Sequence, residues 1–464
     1  MASADRAGAD RGAFMAGPLT VRDAALACDL YEIAMAMSYW REGMRGDATF
    51  SCFVRRLPPS RGFLVAAGLE DLLDNLARFA FTPPGLRYLA SLGRFDPAFL
   101  DWLGSLRFTG SVRAVPEGTP VFANEPLLEV TAPIVEAQLV ESLVLNRLHY
   151  PTLVATKAAR CVDAARGRPV IEFGLRRAPG LDAALQAARS AYLGGAASTS
   201  HVLAGAWLGV PVTGTMAHSY VSAFPSEAES FAAFARAFPD GCYLLVDTYD
   251  TLEGVRRAVV AAQVLAAAGH RLSGVRIDSG DLQELSRGAR TILDAAGLTS
   301  VRIMASGGLD EFEIERLLRE GAPIDGFGVG TKLDTSDDAP LLDMAYKLVR
   351  CDGRDVMKLS GGKETWPGPK QVWRERAEDG TAARDTLALA DEASAPGQPL
   401  LRTVMRHGAR CRSAPPLSEL REQALGMRRA LPAAVRDPRA PAPFPVIVSQ
   451  ALAARRDEVR AAIR

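Results

Sequence analysis

The sequence predicts an α/β fold in which an irregular, TIM-like α/β barrel accompanies a mixed α+β domain built from the N-terminal and C-terminal segments. Between residues 170 and 329, six short apolar runs alternate with stretches of helical length, as in repeated βαβ units. Five successive runs are followed by glycine or polar clusters. Clusters after many successive strands favour a closed barrel, because an open sheet concentrates its site at one switch point.

The predicted elements of this region follow one another closely. Strands are predicted at 170–173, 210–212, 243–246, 274–277, 301–304 and 325–329, and helices at 184–192, 226–237, 253–268, 281–296 and 310–320. Because fewer than eight strands are clear, the predicted barrel is irregular.

Four segments are predicted along the chain. Residues 1–18 lack the continuous apolar core of a secretory signal and indicate a disordered leader. Residues 19–150 predict an N-terminal α+β domain, and residues 151–344 predict the barrel with the active site. Alternating apolar and polar residues predict a β-hairpin over 111–131, and apolar stretches predict helices at about 134–148 and 153–165. After about Ala345 the strand–helix rhythm stops, so residues 345–464 are expected to rejoin the N-terminal domain.

Composition argues against several classes of protein. Lysine plus arginine and aspartate plus glutamate both total 54, so the formal net charge is zero, whereas a nucleic-acid binder normally carries a basic excess. No apolar stretch reaches the roughly 18 residues of a membrane helix. The six cysteines are scattered without a Cys-x-x-Cys pair, which argues against a zinc site or disulfide framework and favours a reducing cytoplasm.

His218 is the first candidate for chemistry. It follows the predicted strand 210–212 in the segment Gly214-Thr215-Met216-Ala217-His218-Ser219, at a strand end where α/β proteins place reactive groups. A neutral imidazole there can act as base, acid or nucleophile, although an isolated histidine is often a core residue bonded to a carbonyl. A nucleophilic histidine needs its second ring nitrogen held, and Asp247 after the next strand is the predicted partner.

The motif Arg276-x-Asp278-x-x-Asp281 combines one cation with two carboxylates. Carboxylates at a strand end suit Mg²⁺ or sugar hydroxyls, so Asp278 and Asp281 are predicted metal ligands, directly or through water. Arg276 can bind a carboxylate or phosphate with two parallel hydrogen bonds. The structural alternative is a helix N-cap made by Ser279 or Asp278, and the two roles are compatible.

Two glycine-rich segments and an arginine pair predict phosphate binding. Ser306-Gly307-Gly308 and Gly328-Val329-Gly330-Thr331 follow neighbouring predicted strands and can present backbone N–H groups to an anion. Arg176 and Arg177 follow the strand 170–173, where they suit a pyrophosphate or carboxylate or form a solvated loop.

Taken in order, these motifs resemble those of the nicotinate phosphoribosyltransferases. The resemblance runs from Asp29-Leu30-Tyr31 to Pro445-Val446. It is carried by the segments Glu172-Phe173-Gly174-Leu175-Arg176-Arg177, 192–195, 202–205, 214–219, 245–250, 275–281, 306–310 and 328–331.

The resemblance implies a cytoplasmic type II phosphoribosyltransferase that works as a homodimer with shared active sites. Such enzymes convert nicotinate and 5-phosphoribosyl 1-diphosphate to nicotinate mononucleotide and diphosphate, the entry step for salvaging nicotinate into NAD. It also implies Mg²⁺ as cofactor and ATP as co-substrate, with ATP hydrolysis coupled through phosphorylation of His218.

By the same resemblance, five residues surround the pyridine ring. Tyr31, supplied with Asp29 by the partner subunit, is expected to stack on one face and Phe173 on the other. Arg276 and Thr215 are expected near the nicotinate carboxylate.

The resemblance assigns the remaining residues to the phosphoribosyl group. Asp278 is expected near the ribose and the reaction centre, and Arg176 at a phosphate. Gly330 and Thr331 match the 5-phosphate loop, assisted by Ser306-Gly307-Gly308.

Two positions depart from the family pattern. His201 stands where asparagine is usual, at the edge of the pocket, where contacts to the ring substituent are expected to differ. Cys28 replaces the usual threonine before Asp29, a change expected to affect helix capping more than chemistry.

Four alternatives remain. A nicotinamide phosphoribosyltransferase needs an acidic acceptor for the amide, whereas Ser198-Thr199-Ser200 offers only hydroxyls, and a quinolinate-specific enzyme needs additional cations and no nucleophilic histidine. A catalytically inactive homologue is opposed by the retention of His218 and Asp278. An unrelated barrel isomerase or aldolase normally needs a lysine at a strand end, and Lys332 is the candidate.

Overall fold

A computed structural model describes residues 21–392 and 396–463, so the predicted leader 1–18 lies outside the described residues. The α-helices, numbered along the chain, are α1 Leu30–Arg41, α2 Leu69–Ala77, α3 Pro83–Ser91, α4 Pro97–Ser105, α5 Ile134–Leu139, α6 Glu141–Ala164, α7 Leu181–Leu193, α8 Val202–Leu208, α9 His218–Ser222, α10 Glu227–Ala237, α11 Thr251–Ala267, α12 Leu282–Ala295, α13 Glu311–Arg319, α14 Thr331–Asp334, α15 Leu417–Arg429 and α16 Gln450–Ile463. None of these helices is both long enough and apolar enough to span a bilayer.

The strands fall into four sheets. They are β1 Asp47–Val54, β2 Leu64–Val65, β3 Ser111–Ala114, β4 Pro120–Val121, β5 Pro126–Pro133, β6 Val170–Glu172, β7 Ser198–Thr199, β8 Tyr243–Leu245, β9 Gly274–Ile277, β10 Arg302–Ser306, β11 Gly326–Val329, β12 Met344–Cys351, β13 Arg354–Asp355, β14 Lys370–Arg376, β15 Ala382–Leu389, β16 Gln398–Pro399, β17 Arg402–Arg406, β18 Ala409–Arg410 and β19 Val446–Val448.

A six-stranded parallel sheet carries the predicted site residues. Its order is β7-β6-β11-β10-β9-β8, and the strands β9, β10 and β11 at its centre are almost wholly buried. Continuous apolar runs form such strands because helices cover both the inner and outer faces of parallel sheets. The carboxyl ends of these strands meet at one edge, where the polar clusters lie.

The sheet is a parallel half-barrel, and the predicted closed barrel is not confirmed. Strands β7 and β8 form its two edges in the described part of the chain. The predicted strand 210–212 is reduced to a single bridge between Val212 and Thr199. Strand β7 has only two residues, too few to extend the ladder towards β8.

The helices that connect the parallel strands begin at polar caps. Ser226, Asp250, Asp281 and Asp310 each accept a hydrogen bond from a backbone N–H in the first turn of the following helix. Each cap fixes the point at which a loop at the active edge becomes helix. The predicted helices of this region are confirmed to within three residues at each end.

A second large sheet has seven strands in the order β13-β12-β1-β5-β3-β17-β18. Strand β1 pairs antiparallel with β12, so chain after Ala345 adds strands to the sheet begun near the N-terminus. The predicted hairpin over 111–131 corresponds to the antiparallel pair β3 and β5.

One predicted helix boundary was wrong. Two helices were expected around 134–148 and 153–165, but α6 runs without interruption from Glu141 to Ala164 through Pro151. Proline lacks the N–H that the carbonyl of Arg147 would accept. Gly68, at φ +95°, packs on that carbonyl so closely that a Cβ would lie 1.8 Å from its oxygen.

Candidate active site

Arg276, on β9, is the centre of the polar cluster at the carboxyl edge of the parallel sheet. Its Nε donates to the Ser306 hydroxyl over 2.9 Å, and one terminal nitrogen donates to the Thr215 hydroxyl over 3.0 Å. The other terminal nitrogen lies 2.9 Å from Oδ1 of Asp278. The sequence-predicted residues Thr215, Arg276, Asp278 and Ser306 are therefore brought together.

Phe173 provides an aromatic surface beside this cluster. Its ring centroid lies 5.6 Å from the guanidinium carbon of Arg276. The ring packs over β11 at Gly328, where a Cβ would lie 2.5 Å from ring atoms. Glycine is therefore required at position 328 for the ring to lie flat beside Arg276.

His218 is the first residue of the short helix α9, at the same edge. Its Nδ1 lies 3.2 Å from the Thr248 hydroxyl oxygen, and its Nε2 lies 4.0 Å from Oδ2 of Asp278. The predicted pairing of His218 with Asp247 is wrong. Asp247 instead accepts hydrogen bonds from the backbone N–H of Asp278, over 3.0 Å, and from the Ser279 hydroxyl, over 2.6 Å.

The difference follows from the geometry of extended chain. Successive side chains point in opposite directions, so the residues that follow β8 cannot both face His218. Asp247 turns towards the loop after β9, and Thr248 turns towards the imidazole. The alternation predicts that only one of Asp247 and Thr248 faces His218, but not which one, so the sequence analysis missed Thr248.

Asp278 is held as an ionised carboxylate. Burial alone would raise its pKa, but hydrogen bonds from Ser306 and Arg276, and the charge of Arg276, outweigh burial and hold the pKa below its usual value. Oδ1 accepts from both Arg276 and Ser306, at 2.9 and 2.5 Å. Oδ2 faces the imidazole of His218.

Asp281 caps the helix that follows it, a role that the sequence analysis predicted for Ser279 or Asp278. Its Oδ1 accepts from the backbone N–H groups of Gln283 and Glu284, so Asp281 is the N-cap of α12. The predicted caps Ser279 and Asp278 were wrong.

The donor set fits a metal that is held mainly by substrate. Within the described ranges, no group of three or more His, Cys, Asp or Glu side chains could hold an ion. Mg²⁺ commonly binds proteins through one or two carboxylates and completes its octahedron with phosphate oxygens and water. Oδ2 of Asp278, with Asp281 acting through water, meets that requirement only when a phosphorylated substrate is present.

The two glycine segments lie on adjacent parallel strands, because β10 pairs with β11. Gly307 and Gly308 have φ of +92° and +64°, and a Cβ at Gly307 would lie 1.8 Å from the carbonyl oxygen of Asp278. Gly280, Gly307 and Gly308 line a cavity of about 580 Å³ together with Lys332. Backbone N–H groups in such glycine turns suit an anion.

Lys332 does not have the surroundings of a Schiff-base lysine. Its Nζ lies 2.7 Å from Oδ2 of Asp310, and that hydrogen bond raises its pKa. An amine that attacks a carbonyl needs a lowered pKa. This contact argues against the isomerase or aldolase alternative.

The segment after β6 places two arginines at the rim. Arg176 and Arg177 lie exposed in a single 3-10 turn, and Arg177 donates to the Thr331 hydroxyl over 3.3 Å. Gly330, just before Thr331, lies against the Phe173 carbonyl, where a Cβ would come within 2.8 Å. The phosphate loop of β11 therefore abuts the arginine turn.

No hydrogen bond or ring contact joins Asp29 or Tyr31 to this cluster of the same chain within the described ranges. Asp29 is the N-cap of α1, and Tyr31 in its first turn is 47% exposed. Partial burial and the carboxylates of Glu141 and Glu32 raise the pKa of Tyr31 to about 12. No ring contact joins Tyr31 to Phe173 in the ranges that the structure describes.

A buried carboxylate pair beneath the site was not expected. Glu172 accepts hydrogen bonds from the Thr199 hydroxyl, over 2.5 Å, and from the backbone N–H of Gly174. His201, the residue at the unusual position, is buried and donates its backbone N–H to the same Thr199 hydroxyl. Asp334 is the second acid of the pair, and burial, with the charge of Glu172, raises its pKa to about 9.

Comparison with known proteins accounts for most of the chain. Residues 26–149 match the model of the nicotinate phosphoribosyltransferase N-terminal domain, and residues 169–366 match that of the nicotinate phosphoribosyltransferase family. The chain is 52% identical over 415 residues to the nicotinate phosphoribosyltransferase pncB2 of Mycobacterium tuberculosis, covering 89% of this chain and 88% of the relative. Nicotinate phosphoribosyltransferase of Bacillus subtilis is 44% identical over 78% of this chain and 76% of its own length.

A solved structure has the same overall architecture. The crystal structure of human nicotinic acid phosphoribosyltransferase superimposes with a TM-score of 0.84 at 33% identity, covering 93% of this chain and 99% of that chain. The two family models, the 52% identical relative and this superposition agree with the site geometry. The chain therefore belongs to the nicotinate phosphoribosyltransferase family.

Proposed function

We propose that this chain catalyses the transfer of the phosphoribosyl group from 5-phosphoribosyl 1-diphosphate to nicotinate, and that ATP hydrolysis is coupled through phosphorylation of His218. The products are nicotinate mononucleotide and diphosphate. One observation carries the proposal: Arg276 lies beside the Phe173 ring and contacts Thr215, Ser306 and the ionised Asp278 at the carboxyl edge of the sheet.

The Arg276 cluster suits an aromatic carboxylate. A flat ring on Phe173 would present its carboxylate to the guanidinium and to the Thr215 hydroxyl, 3.0 Å from each other. Three hydrogen bonds fix the guanidinium of Arg276 in place. If nicotinamide were bound instead, this cation would face an uncharged amide without a compensating negative charge. The site therefore favours nicotinate over nicotinamide.

The same cluster suits the charges of the transfer step. Departure of diphosphate leaves positive oxocarbenium character on the ribose, which a nearby carboxylate such as Asp278 stabilises. The negative charge of the leaving diphosphate falls to Arg176 and to the backbone N–H groups of the glycine loops. Bound Mg²⁺ would supply further charge neutralisation at the diphosphate, with Asp278 and Asp281 as the protein groups nearest to it.

Phosphorylation of His218 offers a means of coupling. A phosphoryl group would add about two negative charges beside Asp278, and so change the affinity of the site for phosphorylated ligands. ATP can drive the reaction only through such differential binding between the two states.

The proposed active unit is a homodimer in which Asp29 and Tyr31 complete the partner's site. Two exposed surfaces support this arrangement. Tyr31 lies beside Leu30, which is 46% exposed, at the start of α1. Near the parallel sheet, α8 exposes Val202 and Trp207 by 72% and 69%. Apolar surface of this extent next to a site is typical of a covered face.

The test is product formation from nicotinate, nicotinamide or quinolinate with 5-phosphoribosyl 1-diphosphate and Mg²⁺, with and without ATP. We expect conversion of nicotinate alone, stimulated by ATP, and loss of that stimulation in His218→Ala. His270→Ala is the matched control, because His270 lies at the surface 3.0 Å from Asp240. Preference for nicotinamide would refute the substrate assignment, and absence of any turnover would favour the inactive homologue.

A further inference from the structure

The imidazole of His218 is held at one nitrogen by a neutral hydroxyl. Nδ1 lies 3.2 Å from Oγ1 of Thr248. Asp247, the predicted carboxylate partner, does not hold this nitrogen: its Oδ2 accepts from the backbone N–H of Asp278 and from the Ser279 hydroxyl, and its Oδ1 is buried without a hydrogen-bond partner in the described residues.

The other nitrogen of His218 makes no hydrogen bond within the described residues. The nearest carboxylate oxygen, Oδ2 of Asp278, lies 4.0 Å from Nε2, beyond hydrogen-bond range. The second oxygen of Asp278 is occupied by Arg276 and Ser306. The His218 side chain is 44% exposed, so a ligand can reach Nε2.

These contacts fit the tautomer that carries its proton on Nδ1. A neutral imidazole has one N–H and one lone pair. When Nδ1–H donates to Thr248, the lone pair lies on Nε2, and the half-buried Thr248 hydroxyl can give its own proton to water. A carboxylate at Nδ1 would instead favour the imidazolium, which has no lone pair. The Thr248 hydroxyl therefore orients the ring through Nδ1 and leaves Nε2 without a hydrogen-bond partner in the described residues.

We propose that Thr248 is the positioning residue of His218, holding Nδ1–H so that Nε2 is the nitrogen that accepts the phosphoryl group. The inference rests on the proposed function. In the step, the Nε2 lone pair forms a bond to the γ-phosphorus of ATP while the bond from that phosphorus to the bridging oxygen breaks. ADP leaves with the electron pair, and the Nδ1 proton stays in the hydrogen bond to Thr248.

The first test reads the tautomer directly and needs no catalysis. The ¹⁵N shifts of His218 in the full-length enzyme, assigned with His218→Ala, should show Nδ1–H and an unprotonated Nε2. Thr248→Val removes the hydroxyl at constant shape and should give a mixture of tautomers, and Thr248→Ser should restore the single form. Thr291→Val is the matched control, because its hydroxyl bonds only to its own helix at Arg287 in the described residues.

The second test measures ATP-dependent phosphorylation of His218. We expect Thr248→Val to slow it roughly tenfold and Thr248→Ser to recover it, with the phosphoryl group on Nε2. A wild-type Nε2–H tautomer, phosphorylation at Nδ1, or a Thr248→Val enzyme indistinguishable from wild type would each overturn the inference. If Thr248→Val does not fold, the wild-type tautomer decides.

The two tests separate this inference from the proposed function. A correct tautomer that depends on Thr248, in an enzyme that ATP does not phosphorylate, would refute the ATP coupling and leave the positioning by Thr248 standing. Phosphorylation of a His218 that carries its proton on Nε2 would support the ATP coupling and refute the positioning by Thr248.

Discussion

The carboxyl group of Asp334 lies directly against the backbone of Gly174, so closely that a Cβ at Gly174 would be 2.1 Å from the carboxyl carbon. Both carboxyl oxygens of Asp334 are buried and lack a hydrogen-bond partner in the described part of the chain. Burial first, and then the charge of Glu172, raise the pKa of Asp334 to about 9. The side chain therefore carries a proton at neutral pH, beneath the turn that follows Phe173.

The first prediction concerns the pH dependence of stability. In the unfolded chain Asp334 ionises near pH 4, whereas in the fold it keeps its proton to about pH 9. Stability should fall as pH rises between these values, because folding must return a proton to this group. The stability of wild type relative to Asp334→Asn should therefore fall by about 4 kcal/mol between pH 5 and pH 8, because each pH unit in this window costs about 1.4 kcal/mol.

Urea unfolding at the two pH values checks this prediction. Asp325→Asn, at another aspartate of the same sheet region, controls for loss of a carboxylate that accepts a hydrogen bond from Ile303. Parallel pH profiles for wild type and Asp334→Asn would contradict the assignment of a raised pKa.

The second prediction concerns a buried ion network that fixes the start of α13. Lys157 on α6 is fully buried and contacts Glu311 over 2.6 Å and Asp338 over 2.7 Å. Lys157→Met would leave both carboxylates without that cation, which should cost about 3–5 kcal/mol of unfolding free energy. The half-buried Arg316, paired with Glu313 on its own helix, is the control, and Arg316→Met should cost less than about 1 kcal/mol. Equal losses of unfolding free energy in Lys157→Met and Arg316→Met would contradict the prediction that the buried network contributes more to stability.

The sequence predicted the site better than the fold around it. Arg276 and Asp278 are two apart on extended chain, so their side chains share a face, and their contact could be expected from spacing alone. Thr248 could not be distinguished from Asp247, because the direction of each side chain depends on where β8 ends. The closed barrel is not confirmed because the segment 210–212 pairs only at Val212, and apolar character alone does not determine such long-range pairing.

The third prediction concerns the glycine loop after β10. Gly307→Ala should raise the KM for 5-phosphoribosyl 1-diphosphate at least roughly tenfold, because a methyl group would meet the Asp278 carbonyl 1.8 Å away at φ +92°. Gly321→Ala is the control, since Gly321 also has positive φ, +75°, but has open space around it. Both variants strain a backbone with positive φ, but only Gly307→Ala adds a clash that displaces the loop, so the comparison separates these two effects. Equal behaviour of both variants in steady-state kinetics would refute the loop's role.

The fourth prediction concerns Arg276. Arg276→Lys keeps the charge but loses the planar fork that reaches Thr215, Ser306 and Asp278. The kcat/KM for nicotinate should fall roughly a hundredfold, with a smaller effect on the KM for 5-phosphoribosyl 1-diphosphate. Arg302→Lys, at the exposed start of the neighbouring strand, should leave both constants close to wild type. An equal rise in KM for both substrates would place Arg276 at a phosphate.

The last prediction tests whether Tyr31 acts across subunits. Tyr31→Ala and His218→Ala homodimers should each be defective in ATP-stimulated turnover, because each lacks a group in both sites. In a heterodimer of the two variants, purified with one tag on each chain, one site would combine the intact His218 of one chain with the intact Tyr31 of the other. That site should restore about half of the wild-type activity per dimer. Tyr31, at the start of α1, is 47% exposed in its own chain, so a second subunit can reach its ring. If Tyr31 instead served the site of its own chain, both sites of the heterodimer would carry one defect, and no activity would return.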